Sequence, residues 1–399
     1  MIIYVGCFVE PSQENYICNV AHASRVISID SFQKMFLSGF KDKNIKFDYI
    51  INAPEIGSFP KRSKSLRVPP ANFELWGMKG KNVGFYNITY FKRYSIAYCI
   101  KKEIEKFVSK LDAKEMIIIV VCTLYYQYLK PLVDLKRKYS NVKICPIVLD
   151  LPEFLGDHCH KGRLSHSIKK VYQLVDEVDS FVLLTRNMSD RLGKNKPYYV
   201  MEGVYDSSKI INSISKKHNK TIMYSGTFDG RYGIKNLINS FMKIKDSDAT
   251  LWLCGDGSER EYVMNALKRD SRIKYFGILS QQRVFEMQRE ASLLINPRKP
   301  EGEYTKYSFP SKTMEYMASG TPTLMYRLPG MPEEYIPYVL LFKDSTDEEM
   351  TRMMEEWLNK PQEELDAFGD KARKFILENK TAEKQVARFV EFIKDNYGG

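Results

Sequence analysis

The residues best suited to chemistry lie in SKTMEYMASG, Ser311–Gly320, behind Ser308, Phe309 and Pro310. Apolar spacing and end signals predict a helix of about three turns over 310–319. Pro310 suits the first helical position, Ser308 or Phe309 the cap, and Gly320 the place just past the end. The first amides of a helix lack partners and carry partial positive charge, so they bind phosphate. Ser311 and Lys312 add a hydroxyl and a cation in that same turn. Glu315 follows four residues after Ser311, on the same face. A carboxylate there repels phosphate, but it accepts hydrogen bonds from two vicinal hydroxyls such as a ribose presents. The plain alternative is a capped helix with a solvent-facing glutamate.

Three glycine turns repeat a related form. In YSGTFDGRYGIKNL (224–237) a strand pattern runs into a glycine loop and then a helix. Gly226 lets a ligand approach the backbone, with Arg231 and Lys235 as cations for phosphate. CGDGSERE (254–261) places Gly255 and Gly257 after a strand, with Ser258 as a helix N-cap. FGILSQQ (276–282) does the same, and its Ile278 and Leu279 would lie where backbone reads a base. One such turn is weak; several at successive strand ends are stronger.

The elements that must position these residues read as α/β throughout. Strand candidates in the first half are 2–6, 47–51, 116–122, 143–149 and 180–185, with helical patterns at 99–111, 125–139 and 163–175. The second half gives strands at 221–226, 250–255, 273–277, 292–297, 321–326 and 338–342. Helices fall between them near 233–244, 258–268, 280–291 and 310–319, and two or three more close the chain over 346–397. Continuous apolar runs imply strands buried on both faces, hence parallel sheets covered by helices. The expected architecture is two doubly wound, Rossmann-like domains facing a cleft. Ligands in such sheets bind outside the carboxyl ends of the strands. The domains expected are 1–205, 206–379 and a final helix in 380–399, with 205–220 as linker. Residues 55–82 fit no period and read as a surface loop.

Length and composition agree with two domains. The chain has 399 residues, 44% hydrophobic and 28% charged. Seven scattered cysteines without a C-x-x-C pair suit free thiols in a reducing cytosol. MIIYVGCFVE reads as a first strand, not a signal peptide, and no apolar run reaches the ~20 residues of a spanning helix. The first 200 residues hold 31 Lys and Arg against 19 Asp and Glu, while the rest hold 30 of each, so the net +12 lies in the first half. Such a half-chain faces nucleic acid, an anionic membrane or a phosphorylated acceptor, or is an ordinary solvated surface. The loop 59–67, with Lys61, Arg62, Lys64 and Arg67 around Phe59 and Leu66, concentrates the charge.

Three first-half residues are acceptor-side candidates: His22 after the first strand, and Asp150 and Glu153 after the strand 143–149. His158 in DHCH (157–160) is placed to orient an acceptor hydroxyl or a donor sugar. That cluster lacks a second half elsewhere, so no metal site is expected. DSD (246–248) reads as a turn, not a metal motif.

The run from YSGTFDGRYGIKNL through LWLCGDGSE, INPR and TKYSFPSKTMEYMASGTP resembles the donor domain of family-4 glycosyltransferases, which have the GT-B fold. FPSK followed by EYMASG resembles a subgroup that builds bacterial surface polysaccharides. The resemblance implies a retaining, hexosyltransferase-type enzyme that moves a sugar from a nucleotide diphosphate sugar to a saccharide acceptor, lipid-linked in this subgroup. It implies donor binding by Gly226, Thr227, Arg231, Gly255, Gly257, Ile278, Leu279, Arg298, Tyr307, Ser308, Phe309, Ser311, Lys312 and Glu315. Lys312, Arg231 and His158 are then the catalytic candidates. In the family's Glu-x7-Glu motif Glu315 matches the second, ribose-binding Glu, while Tyr307 stands at the first. The resemblance also implies that the final helix packs on the first domain. No cofactor and no metal are expected, and no nucleic-acid partner. The expected location is cytoplasmic, peripheral on an anionic inner membrane face. A nucleotide-sugar epimerase and a non-catalytic GT-B partner subunit are the alternatives.

Overall fold

The computed structural model describes residues 1–399 except 23–26, 42, 111, 113–114, 155–162, 208–216 and 399. His158, the DHCH cluster and most of the expected linker lie outside the described residues. The chain divides into two units, Met1–Val204 with Ala382–Gly399, and Tyr205–Thr381.

The first unit is built on an eight-stranded sheet. Its strands are β1 (Ile2–Gly6), β2 (Tyr49–Asn52), β4 (Ala71–Leu75), β5 (Met78–Asn82), β7 (Ile117–Cys122), β8 (Val142–Val148), β9 (Phe181–Leu183) and β10 (Tyr198–Val200). A separate ribbon pairs β3 (Arg67–Val68) with β6 (Phe85–Tyr86), antiparallel. The sheet order is β10-β9-β8-β7-β1-β2-β5-β4. All neighbours are parallel except β4 with β5. The helices are α1 (Glu14–Val20), α2 (Ile27–Ser38), α3 (Lys92–Val108), α4 (Tyr126–Lys138), α5 (Arg163–Val175) and α6 (Ser189–Leu192). Every residue of β7, IIIVVC, is buried, as a central parallel strand requires. The order turns back on either side of β1, so β1 and β7 flank the switch point where such sheets receive ligands.

The expectation of a loop over 55–82 is corrected. Part of it is a hairpin whose second strand, β5, pairs parallel with β2 inside the sheet. Trp76 and Gly77, with φ of 49° and 76°, form its two-residue turn, which needs positive φ at both positions. The strands ANFEL and MKGKN alternate instead of running apolar, with Lys79 exposed beside buried Met78 and Gly80. Gly80 sits directly across from Phe73, whose ring fills the place of its missing side chain. A search for apolar runs passes over such a pair.

The second unit carries a six-stranded, all-parallel sheet in the order β13-β12-β11-β14-β15-β16. The strands are β11 (Thr221–Ser225), β12 (Thr250–Cys254), β13 (Ile273–Gly277), β14 (Leu293–Asn296), β15 (Thr323–Met325) and β16 (Leu340–Leu341). The helices are α7 (Ile234–Met242), α8 (Arg260–Arg269), α9 (Gln281–Glu290), α10 (Ser311–Ser319), α11 (Asp347–Leu358) and α12 (Gln362–Asn379). Its switch point lies between β11 and β14. Gly226 and Arg298 follow the carboxyl ends of those two strands, on either side of it.

The last helix, α13 (Ala382–Tyr397), belongs to the first unit. Ala382, Val386, Phe389 and Ile393 form its buried stripe, and the Phe389 ring lies edge-on to Phe36 at 5.2 Å. Gln385 ties it down at both ends of its amide: Nε2 donates to the Gly203 carbonyl at 2.9 Å, and Oε1 accepts from the Tyr199 hydroxyl at 2.6 Å.

Candidate active site

The strongest constellation is in the second unit, where the loops after β11, β12 and β13 are knitted together. The Gly226 amide donates to the Cys254 carbonyl at 2.8 Å, Phe228 to Asp256 at 2.9 Å, and Gly255 to Gly277 at 2.8 Å. Gly255 has a φ of 138°, and any side chain there would run into the Gly226 carbonyl. Gly257 packs against the Phe228 backbone in the same way. These glycines hold three strand ends in register, and Gly226 is the one that α10 reaches.

Lys312, in the first turn of α10, extends across to that loop. Its Nζ donates to the Ser225 carbonyl at 2.6 Å and stands 5.9 Å from the centre of the Tyr224 ring. A methyl group on Gly226 would overlap the ammonium. Burial lowers the Lys312 pKa, and the Glu315 carboxylate partly offsets the shift. A desolvated cation with a carbonyl as its fixed partner is ready to meet an anion. Ser225 is held from two helices: its N–H donates to the Tyr316 hydroxyl at 2.9 Å, that hydroxyl donates to the Ser225 carbonyl at 3.1 Å, and Gln288 donates to its Oγ at 3.1 Å.

The helix begins one residue later than expected. Pro310 is the N-cap and not the first helical residue, and no side chain caps the end. The chain reaches Pro310 in an extended conformation, with ψ of 112°, so neither Ser308 nor Phe309 sits at the cap. Ser308 is used elsewhere: its Oγ accepts from Arg298 at 2.7 Å and donates to the Tyr304 carbonyl at 3.0 Å. Phe309 packs on Tyr335 at 4.8 Å, and Tyr307 is buried. Ser311 is exposed at the helix start, and Glu315 is part-exposed one turn on. The N-cap expected at Ser258 also shifts: α8 starts at Arg260 and Glu259 is its cap.

Arg298 is buried, with its guanidinium 4.8 Å from the Tyr304 ring centre and 6.0 Å from that of Tyr232. Its Nε is buried and has no hydrogen-bond partner, although an N–H so placed ordinarily has one. Arg231 is different. It is exposed, and its Nε and Nη2 bind Asp229 at 3.0 and 3.1 Å, so it lies on its own loop and not against Lys312. Thr227 is exposed and Lys235 pairs with Glu259. Ile278 is 79% exposed, an apolar side chain left open at the exit of β13, while Leu279 packs on the core beside it. Tyr304 and Tyr316 are the residues that sequence reasoning passed over. Tyr316 was legible as the apolar neighbour of Glu315, but not its hydroxyl partner on another strand.

In the first unit, Asp150 follows the carboxyl end of β8. Burial pushes its pKa up to about 6. Glu153, just beyond, accepts a hydrogen bond from the Tyr172 hydroxyl of α5 at 2.6 Å. His22 is exposed, and its amide donates to the Arg62 carbonyl at 3.0 Å. Asp246 and Asp248 form a turn ahead of β12, at the amino-terminal edge of the sheet, and Asp246 binds Lys220.

Residues 206–375 match the family model described as glycosyl transferases, group 1. That stretch holds the whole Lys312 site. No curated relative matches the chain by sequence. Among solved structures, a sucrose-phosphate synthase from Thermosynechococcus elongatus superposes with a TM-score of 0.64 at 14% identity, over 100% of this chain and 99% of the other. The lipopolysaccharide outer core galactosyltransferase WaaB gives 0.64 at 13% identity, over 99% of both. Anabaena HepE in complex with UDP gives 0.63 at 12% identity, again over 99% of both. The fold is that of the GT-B glycosyltransferases, two Rossmann-like domains. Fold and group 1 match together support a glycosyltransferase that uses a nucleotide sugar.

Proposed function

We propose that the chain is a retaining, family-4-like glycosyltransferase. It moves a hexose-type sugar from a nucleotide diphosphate sugar to a saccharide acceptor carried on a lipid, in surface polysaccharide synthesis. The observation that carries the reading is the Lys312 ammonium, desolvated at the start of α10 and set against Gly226 at the switch point.

Cleavage of the sugar–phosphate bond leaves a nucleotide diphosphate with growing negative charge. Fixed donors aimed at that charge stabilise the transition state more than the ground state. Lys312 and the amides of the first turn of α10 supply them, with Ser311 as a further donor. Glu315 takes the ribose hydroxyls. Arg298 braces the segment 304–308 that leads into α10 through its bond to Ser308. The sugar–phosphate bond opens, its electron pair leaves with the diphosphate, and the acceptor hydroxyl attacks from the same face. Its proton passes to the departing phosphate oxygen, which is basic at that moment. No enzymatic nucleophile is then required, and no metal is needed to neutralise the diphosphate. Asp150, Glu153, His22 and His158 belong to acceptor binding and orientation in this reading.

The acceptor assignment draws on the basic first half and on the resemblance of FPSKTMEYMASG to surface-polysaccharide enzymes. The likeness in fold to WaaB, a lipopolysaccharide outer core galactosyltransferase, is in keeping with it. A thermal-shift screen of nucleotide diphosphates and their sugars, beginning with UDP, tests the donor. At 100 times its dissociation constant a true ligand stabilises by about 2.7 kcal/mol. Release of nucleotide diphosphate that depends on acceptor separates a transferase from an epimerase. Binding with neither transfer nor slow donor hydrolysis would instead make the chain a non-catalytic partner, with Tyr307 as the reason.

A further inference from the structure

The first unit carries an aromatic and cationic surface that the donor chemistry does not use. Of the twelve large apolar side chains that stand exposed among the described residues, seven fall between Leu66 and Tyr98. Tyr90 is 86% exposed, Tyr98 65%, Tyr94 54% and Phe91 51%. Elsewhere among the described residues Phe276 alone of the Phe, Tyr and Trp rings stands exposed, so this grouping is not the ordinary scatter of a protein surface.

The fold gathers these residues. Arg67 pairs with Tyr86 across the β3–β6 ribbon, and an isolated bridge joins Phe59 to Ile88. The Asn87 amide donates to Leu66 and the Phe59 amide to Asn87, both at 2.8 Å. The basic loop 59–67 is therefore stitched to the segment that leads into α3. Tyr90, with a φ of 70°, turns the chain into that helix. On α3, Ser95, Ile96, Ile100 and Ile104 face inward, while Tyr94 and Tyr98, one turn apart, face out.

The charge on this surface has one sign. Residues 56–102 hold ten Lys and Arg and a single acid, Glu74. Lys81 and Lys92 are engaged by Glu103 and Glu55. Other cations lie over the tyrosines: Arg93 is 5.0 Å from the Tyr94 ring, Arg67 5.8 Å from Tyr86 and Lys102 6.0 Å from Tyr98. Rings with a polar tip, flanked by long cations, suit the boundary between lipid headgroups and acyl chains. Tyrosines serve protein interfaces as well, but ten cations against a single acid match the uniform negative charge of an anionic leaflet.

We infer that Tyr86, Tyr90, Phe91, Tyr94 and Tyr98, with the cations of 59–67 and 93–102, form an interfacial docking surface for an anionic lipid bilayer. The surface lies where the chain leaves the carboxyl ends of β2 and β5, the edge at which such a sheet takes its ligands. Docking there would present a lipid-carried acceptor to that edge, and this part rests on the lipid-linked acceptor proposed above. Among the described residues no helix is long and apolar enough to cross a membrane. The contact is accordingly one of rings at headgroup depth, reversible and salt-sensitive.

The test is flotation of the full chain with phosphatidylcholine vesicles, with and without phosphatidylglycerol, over a salt series. Two variants accompany it: Tyr90→Ser with Phe91→Ser and Tyr94→Ser, and Lys61→Gln with Arg62→Gln, Lys64→Gln and Arg67→Gln. All seven side chains are at the surface, so both variants should keep the melting temperature of the parent. Each basic residue near an anionic leaflet strengthens binding by about fivefold, so the four-site variant should lose most of the salt-dependent binding. The aromatic variant should bind about tenfold less or weaker still, while keeping the salt slope. A Tyr90→Trp protein should shift its fluorescence to the blue on anionic vesicles and be quenched by brominated acyl chains. Equal vesicle binding by the aromatic variant and the parent would overturn the inference. So would a change in oligomeric state with no change in vesicle binding, which would make the patch a contact between copies. Nucleotide affinity, measured in parallel, reports on the donor reading alone. A parent chain that binds nucleotide but no anionic vesicle at any salt sinks only the docking surface, and one that binds vesicles but no nucleotide sinks only the donor reading.

Discussion

Asp150 offers a measurement in which stability and function pull apart. Its carboxyl is pushed from 3.8 up to about 6 by burial after β8. The sign follows from which state holds the proton. Between those two values the folded protein binds a proton that the unfolded chain has released, so stability falls as pH rises through that window. Near neutral pH both states are ionised, and a shift of about two units costs the fold about 3 kcal/mol. Asp150→Asn keeps the shape and removes the charge. It should stabilise the first unit by about 2–3 kcal/mol near pH 7 and by well under 1 kcal/mol near pH 4, where the folded carboxyl is already neutral. For a unit of this size that is a rise of roughly 5–10 °C in its melting transition near neutrality. Calorimetry at the two pH values reads it directly. A buried carboxylate kept at such a cost fits a group used in the reaction, so transfer to acceptor should fall in the same variant while nucleotide affinity holds. A gain in stability that is equal at both pH values would refute the linkage argument. Stabilisation with full transferase activity would remove Asp150 from the acceptor site.

Glu315→Gln should weaken nucleotide diphosphate binding by about 1.5–3 kcal/mol in calorimetry without lowering the melting temperature, and unchanged affinity would end the ribose assignment. Transfer should survive EDTA, because Lys312 and the α10 amides carry the diphosphate charge; complete loss, restored by manganese or magnesium, would mean that a divalent ion does this work. Gly226→Ala puts a methyl where the Lys312 ammonium lies. The side-chain end can move, so the fold should persist while nucleotide affinity drops about tenfold, a loss of roughly 1.4 kcal/mol. Gly255→Ala meets backbone at a φ of 138° and should instead destabilise the second unit by about 2 kcal/mol or more, seen as a lower melting temperature.

The sequence alone determined the alternation of strand and helix, because a parallel sheet buried on both faces needs continuous apolar runs such as IIIVVC and TLWLC. It also marked the glycine turns and the helix bearing Lys312 and Glu315, since these depend on local backbone freedom and on spacing along one helix. The β4–β5 hairpin was not legible, because Lys79, Gly80 and Lys81 resemble a loop until Phe73 and Ile50 cover the glycine. Arg231 and Lys312 look alike in the sequence as cations for phosphate, and only packing separates them. Asp229, two residues away, captures the first, while the second crosses to Ser225, 87 residues distant in sequence. In a chain with 26 tyrosines nothing in the sequence sets apart those at 86, 90, 94 and 98. Which rings stay in water is a property of the folded surface, fixed when β3 pairs with β6 and the inner face of α3 packs, and composition holds no record of it.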